Sequence, residues 1–437
     1  MKVAVIGAGF AGCEAAWQLN KRGVAVDLYE MKPQRFSPAH KSEKFAELVC
    51  SNSFKAKRLN SAAGLLKAEM LEFGSVCVDS ALKTSVPAGG ALAVDRELFS
   101  SLVTDRILAC ENVTVIREEV TELPAADAVI ICAGPLASEG LSETVGKLCG
   151  DALSFYDAAA PIVAADSIDR NYCFTQSRYD RGGDDDYINC PMNKEEYERF
   201  YGAIISAESA PVHSFDMRKD VYEGCMPIEV LASRGKDTMR YGPLKPVGLT
   251  DPRTGHRPWA NLQLRKENSQ GTMYNLVGFQ TNLKFSEQKR VFSMFPALHD
   301  AEFLRSGVMH RNSFINSPTL LDSDFSMRDN PLIFFGGQIT GVEGYMESAS
   351  SGILAGINCA RRLTGKKTFT LPATTMMGAL SRYISDESVK NFQPMGANFG
   401  VLPPLEEKIR DKQARYEELS QRATDDLRRF IKENSIL

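Results

Sequence analysis

The turn Gly7-Ala8-Gly9-Phe10-Ala11-Gly12 constrains this chain more than any other stretch. The run Val3-Ala4-Val5-Ile6 precedes it, short, apolar and β-branched, and reads as a buried strand. The residues from Cys13 to Arg22 follow with a helical pattern that Gly23 ends. A second strand-like run begins at Val24 and finishes at Glu30, 18 residues beyond Gly12. Strand, glycine turn, helix, strand and terminal acid together make the dinucleotide fingerprint. Gly7 permits the tight turn, Gly9 lets backbone amides approach a pyrophosphate, and Gly12 lets helix and strand pack. Ala8, Phe10 and Ala11 carry the amides between, at a helix N-terminus that favours negative charge. Glu30 is expected to hold ribose hydroxyls. On this turn alone, NAD, FAD and S-adenosylmethionine all remain open.

A second glycine turn narrows the choice to FAD. Residues 332–337, Leu-Ile-Phe-Phe-Gly-Gly, read as another strand ending in Gly336 and Gly337. Gln338 and Gly341 follow, and from Glu347 a run of small residues predicts a closely packed helix. Flavoproteins of the two-dinucleotide-binding-domain type use such a late unit to close over FAD, whereas a single Rossmann unit has no need of it. Residues 127–135, Asp-Ala-Val-Ile-Ile-Cys-Ala-Gly-Pro, predict a further strand of the same sheet. The expected fold is therefore α/β: a Rossmann-like FAD-binding domain of that flavoprotein type, with an inserted α/β substrate domain. The expected division is 1–165 plus 300–437 for the discontinuous FAD domain and 166–299 for the insertion.

Bulk properties exclude little but agree. With 437 residues and 43% hydrophobic content the chain supports a large core, and a net charge of −4 argues against a surface that is basic throughout. No apolar run reaches the roughly 18 residues of a membrane span, so no membrane association is expected. The apolar N-terminus breaks into glycines at once and is read as a first strand, not a signal peptide. Ten scattered cysteines without a C-x-x-C predict a reducing, cytoplasmic setting and no metal site.

Two stretches of the middle region invite chemistry. Cys225 stands in Tyr-Glu-Gly-Cys-Met-Pro-Ile-Glu, between a glycine and a Met-Pro turn, and is either a packed sulfur or a nucleophile. The loop 234–245 carries Arg234, Lys236, Arg240 and Lys245 around Tyr241. Cations beside an aromatic suit an RNA backbone and an unstacked base, and equally a solvated loop. Mixed charge with Ile409, Tyr416, Leu419 and Leu427 predicts an amphipathic C-terminal helix or two.

Taken in order, several motifs resemble one family, the folate- and FAD-dependent tRNA (uracil-5-)-methyltransferases called TrmFO. They include Gly-Ala-Gly-Phe-Ala-Gly, Phe45-Ala-Glu-Leu-Val-Cys-Ser-Asn-Ser53, Pro87-Ala-Gly-Gly-Ala-Leu-Ala-Val-Asp-Arg96, the Cys225 segment, and Gly336-Gly-Gln-Ile-Thr-Gly-Val-Glu-Gly-Tyr345. The likeness runs from residue 1 to about 415. It implies methylation of uridine C5 in the tRNA T loop, at uridine 54, with 5,10-methylenetetrahydrofolate as carbon donor, FAD as redox cofactor and NADH or NADPH as reductant. A ribosomal RNA uridine, the wobble uridine of related enzymes, non-catalytic RNA binding, or oxidation of a small metabolite are the competing expectations. The implied partners are the tRNA T arm, folate and NAD(P)H, with no obligate protein partner. The resemblance assigns Cys225 as nucleophile, Cys50 as the base beside the flavin, and His310 as a residue stacking on folate. Cys190 matches a family cysteine of less defined role. The polar run Ser51-Asn52-Ser53 beside Cys50 is unusual around a sulfur that merely fills a core. Arg218, Lys219 and Arg234 are candidates for lowering a thiol pKa, and Lys55, Lys57 and Arg58 with the 234–245 loop for a basic RNA-facing strip.

Overall fold

The computed structural model describes residues 1–437 except 38, 151–152, 159, 181–182, 184–185, 211–225, 269–270, 308, 390–391 and 437; for 153–158, 180 and 309–312 it describes the backbone alone. The chain opens with β1 (Lys2–Ile6), α1 (Phe10–Asn20) and β2 (Ala25–Tyr29), the unit predicted from the first glycine turn. An excursion follows through β3 (Ser53–Ala56), α2 (Ala62–Glu72), α3 (Val76–Lys83), β4 (Ser85–Val86), β5 (Ala91–Val94) and α4 (Arg96–Leu108). β6 (Val113–Ile116), β7 (Ala128–Ile131) and α5 (Glu139–Cys149) complete the first third. The middle comprises β8 (Leu153–Ala158), β9 (Ile162–Ala164), β10 (Phe174–Thr175), β11 (Tyr187–Met192), α6 (Lys194–Ser206), α7 (Ile228–Ser233), α8 (Thr238–Tyr241), β12 (Ala260–Lys266), β13 (Met273–Leu276), α9 (Phe285–Phe292) and β14 (Phe303–Arg305). The chain closes through β15 (Met309–Phe314), α10 (Ser317–Leu320), β16 (Ile333–Phe335), α11 (Tyr345–Leu363), α12 (Met376–Tyr383) and α13 (Lys412–Glu433).

The strands first met in the sequence form one parallel sheet in the order β16-β7-β1-β2-β6. Their apolar runs are buried without alternation (all four residues of β7, all three of β16), as strands covered on both faces must be. Register brings Ile6, Tyr29, Ile131 and Phe335 to the same edge. The glycine turns therefore gather at the carboxyl ends of the strands, where open α/β sheets bind ligands. This sheet and its helices share a core drawn from residues 3–145 and 314–436.

A second core, drawn from residues 163–301, lies on a six-stranded antiparallel sheet ordered β10-β11-β12-β13-β9-β14. The antiparallel ribbon β8–β15 carries the chain between the two cores. Buried polar contacts join them. Asn52 is fully buried and accepts from the Arg265 guanidinium at 3.0 and 2.8 Å, while its amide donates to the carbonyls of Val94 and Lys266. The C-terminal region forms a single helix capped by Asp411, burying Leu419, Ala423 and Leu427. Among the described residues no helix is long and apolar enough to cross a membrane.

Candidate functional site

The first glycine turn is shaped by contacts that admit no side chain. A Cβ on Gly7, where φ is +98°, would stand 2.7 Å from the Cys132 carbonyl oxygen, and one on Gly12 would meet the Gly7 oxygen at 1.8 Å. Gly9 differs: nothing lies within 4 Å of the position its Cβ would take. The two outer glycines thus close the turn while the middle one opens onto a cleft. The N-terminus of α1 has no side-chain cap and faces that cleft, an arrangement that suits an anion. Glu30 stands at the end of β2, 7% exposed, accepting from the amides of Ala8 and Lys32 at 3.0 Å each. Glu30 also lines the cleft.

The cleft has a volume of about 440 Å³ and is walled by both glycine turns. Ala8, Gly9, Glu30, Gly337, Gln338 and Cys50 are among its lining residues. Gly336 and Gly341 sit at tight crossings instead, a Cβ on the former meeting the Cys132 sulfur at 3.0 Å and one on the latter the Phe392 ring at 2.4 Å. The Phe10 ring also turns inward, stacking at 4.8 Å on Tyr345 and at 5.6 Å on Phe99. Its backbone, not its ring, is what the turn offers a phosphate.

Cys50 is half-buried in the cleft wall. Its sulfur lies 3.1 Å from the Tyr345 hydroxyl, which also accepts from the amides of Val49 and Cys50 at 2.9 Å each. Arg96 donates to the carbonyls of Leu48 and Cys50 at 2.6 and 3.1 Å and pairs with Glu267 at 2.5 Å. Arg305 donates to the Val49 carbonyl. Burial, with Arg96 beside it, holds the Arg305 guanidinium below its usual value. The polar run beside Cys50 has its reason here. Ser51 and Asn52 hold Arg265 of the second core, so their polarity serves the junction between cores.

Lys55 faces the same cleft and donates to the Glu347 carboxylate at 2.8 Å. Burial pushes that carboxyl up, but the Lys55 ammonium and the Ala397 amide outweigh it and hold the group below the ordinary range. Lys55 thus pairs with Glu347 at the cleft wall while its side chain stays half exposed. In the 234–245 loop Lys236 pairs with Glu198 and Arg240 with Asp237, both at 2.8 Å, and Arg240 stacks 3.8 Å over Trp259. Tyr241 is exposed at 84%, and Arg234 and Lys236 are exposed as well. Cys190 is fully buried in the second core, where burial pushes its thiol well up; it packs.

Cys225, with Arg218 and Lys219, lies outside the described residues. From Met226 the residues are described again, and the Ile228 amide donates to the Gln280 carbonyl at 2.7 Å. Gln280 lines the cleft. Glu229, next along, accepts from the Asn282 amide and the Thr281 hydroxyl at 2.7 and 2.8 Å. His310 is described by its backbone, which pairs with Asp157 in the ribbon. Sequence reasoning gave no role to Tyr345, Arg96 or Arg305 and did not pair Lys55 with Glu347. Tyr345 and Arg96 did leave a signal, each closing one of the quoted motifs.

The family model described as "Glucose inhibited division protein A" matches residues 2–367. A methylenetetrahydrofolate–tRNA-(uracil-5-)-methyltransferase TrmFO of Acetivibrio thermocellus is 57% identical over 432 residues, covering 99% of each chain. The protein of that name from Heliobacterium modesticaldum is 55% identical over 439 residues, covering 100% of this chain and 99% of its own. Among solved structures, GidA of Aquifex aeolicus superposes with a TM-score of 0.71 at 16% identity, covering 100% of this chain and 74% of that one, a likeness of fold.

Proposed function

Because the chain belongs to the TrmFO family, we propose that it methylates C5 of uridine 54 in the tRNA T loop, taking the carbon from 5,10-methylenetetrahydrofolate. What carries the reading is one cleft that joins a dinucleotide cradle to a half-buried cysteine, in a chain 57% identical along its length to a protein of that name. The cradle fits FAD: Gly9 leaves room for a pyrophosphate, the α1 N-terminus faces the cleft, and Glu30 supplies a carboxylate that can accept from ribose hydroxyls. Ala8 to Ala11, Glu30, Gly337, Gln338 and Cys50 line the cleft that would hold FAD, and FAD held there would supply the electrons, drawn from NADH or NADPH, that convert the transferred methylene to a methyl.

The remaining work belongs to side chains. Uracil C5 is a weak nucleophile. A Cys225 thiolate adding to C6 makes an enolate, and C5 then bonds to the methylene carbon. The C5–H bond must next break. Cys50 takes that proton, an S–H bond forms, and the C5 electron pair expels the folate nitrogen, leaving an exocyclic methylene on C5. A hydride's two electrons and hydrogen added to that carbon make the methyl, and the C5–C6 double bond is restored as the Cys225 thiolate leaves C6. His310 stacks on the pterin. Residues 166–299 form the unit that receives RNA, with Tyr241 as an exposed stacking surface for a base. The contact of Ile228 with Gln280 supports this placement, since it ties the residues after Cys225 to the cleft.

The test is a covalent trap. A T-arm RNA carrying 5-fluorouridine at position 54 keeps its C5 substituent, so the thioether persists under denaturing electrophoresis. A retarded band with the wild type that disappears in Cys225→Ala supports both the nucleophile and the RNA. A band surviving in Cys225→Ala moves the nucleophile elsewhere. A band with a ribosomal hairpin but not the T arm changes the substrate, and no band with any RNA ends the methyltransferase reading.

A further inference from the structure

The hydrogen bonds around Tyr345 settle a question of direction that distance alone leaves open. A neutral phenol has one hydrogen to donate and two lone pairs to accept with. The amides of Val49 and Cys50 each donate to the Tyr345 oxygen at 2.9 Å, so both lone pairs are taken. The Cys50 sulfur is the third neighbour, at 3.1 Å. The hydroxyl hydrogen is what remains, and it points at sulfur. An S–H directed the other way would find no lone pair to meet it.

We infer that Tyr345 is a positioning residue that holds the Cys50 sulfur as a hydrogen-bond-accepting thiolate at the cleft wall. The inference rests on the assignment of Cys50 as the base in the reading above. Hydrogen bonds to the charged form of a group favour that form. Two guanidinium groups hold this segment: Arg96 at the start of α4, itself paired with the Glu267 carboxylate beyond β12, and Arg305 at the end of β14 bond the carbonyls of residues 48–50. Tyr345, on α11, is itself clamped. Its ring stacks on Phe10 and meets Phe54 edge-on at 5.9 Å. Burial pushes its hydroxyl well above the usual phenol value, so it keeps its hydrogen at any working pH. The Phe10 side chain of the first glycine turn thus has a task of its own, to fix the ring that orients the base.

The experiment uses the full-length, flavin-loaded protein. Iodoacetamide labelling of Cys50 is followed by mass spectrometry of the peptide that carries it, from about pH 5 to pH 10, in the wild type and in Tyr345→Phe. The expected midpoint in the wild type lies below the value near 8.5 of a free thiol. Tyr345→Phe is expected to raise it by about one unit, slowing labelling near neutral pH roughly tenfold. Coincident profiles in the two proteins would overturn the inference. If Tyr345→Phe fails to fold, the wild-type midpoint decides alone: at or above that of a free thiol, Tyr345 does not hold a thiolate. A separate readout isolates the base assignment. Release of tritium from C5-labelled tRNA that is unimpaired in Cys50→Ala removes Cys50 from proton abstraction, while the labelling profiles still judge Tyr345.

Discussion

Gly352 of α11 lies so close to α1 that a methyl group on it would stand 2.1 Å from the Ala11 carbonyl oxygen. Gly356, one turn on, faces the Ala15 oxygen in the same way at 2.8 Å. The two helices meet backbone to backbone, and this crossing sets where the N-terminus of α1 points. Gly352→Ala is expected to lower stability by about 1–3 kcal/mol, the usual cost of overpacking. It should also weaken flavin retention more than Gly356→Ala does, because Gly352 sits nearer the phosphate cradle. Thermal melts with and without added FAD check both statements. An unchanged melt would show that the helices separate freely.

Lys55 is the partner that keeps the Glu347 carboxylate, 2% exposed, charged. Lys55→Met leaves that carboxylate to backbone amides, those of Ala397 and of Glu347 itself. Stranding a buried charge costs about 3–5 kcal/mol. Lys55 is half exposed, however, and solvent screens the pair, so about 1–3 kcal/mol is expected. The sign with pH follows from the depressed Glu347 value. Its contribution is present above the unfolded carboxyl value and is lost as pH falls through the folded one. The difference in unfolding free energy between wild type and Lys55→Met should therefore narrow in acid. A gap that widens in acid would contradict the assignment.

How much of this was legible beforehand depended on sequence distance. The glycine turns, the strands before them and Glu30 lie within single βα units, so local spacing and period revealed them. The setting of Cys50 did not show, because it is assembled from afar. Tyr345 is 295 residues away, Arg305 is 256 residues from Val49, and Arg96 is 46 away, beyond α2 and α3. The polar run beside Cys50 had a cause that local reasoning could not supply: Ser51 and Asn52 answer to Arg265, a charge in another sheet. The basic loop 234–245 was ambiguous for the same reason. Its cations are partly consumed by Glu198, Asp237 and Trp259, pairings that no spacing along the chain announces.

Asn52 is a test of how the two cores communicate. It satisfies Arg265 with its oxygen and two carbonyls with its amide, and is fully buried. Asn52→Ala leaves a buried guanidinium, already held below its ordinary value by burial, with fewer acceptors. A loss of about 2–4 kcal/mol is expected, beyond the 1–3 kcal/mol of one unsatisfied neutral group. Because the contact bridges the cores, the loss should appear as reduced cooperativity, with calorimetric unfolding splitting or broadening. A uniform shift of one sharp transition would mean that the cores do not depend on this junction.

Glu69 predicts a pH dependence of the opposite sign to that of Glu347. Its carboxylate, 1% exposed, accepts from the amides of Met376 and Met377 at 2.7 and 2.8 Å, at the N-terminus of α12. Burial outweighs those two bonds and pushes the group up to about 8. A folded value above the unfolded one means that the native state holds a proton the unfolded chain releases. Stability is then full below the unfolded value of about 4.3 and declines as pH rises toward the folded value, by at most about 1.4 kcal/mol per pH unit for one proton. Glu14, pushed to about 7 by burial at the start of α3, adds a decline of the same sign. Glu69→Gln removes one titration and keeps an oxygen for one amide. Denaturant unfolding near pH 5, 6.5 and 8 should therefore show a shallower decline in Glu69→Gln than in the wild type. Parallel slopes would mean that the two amides keep Glu69 ionised in the folded protein, and that α12 is anchored by a charge and not by a neutral acid.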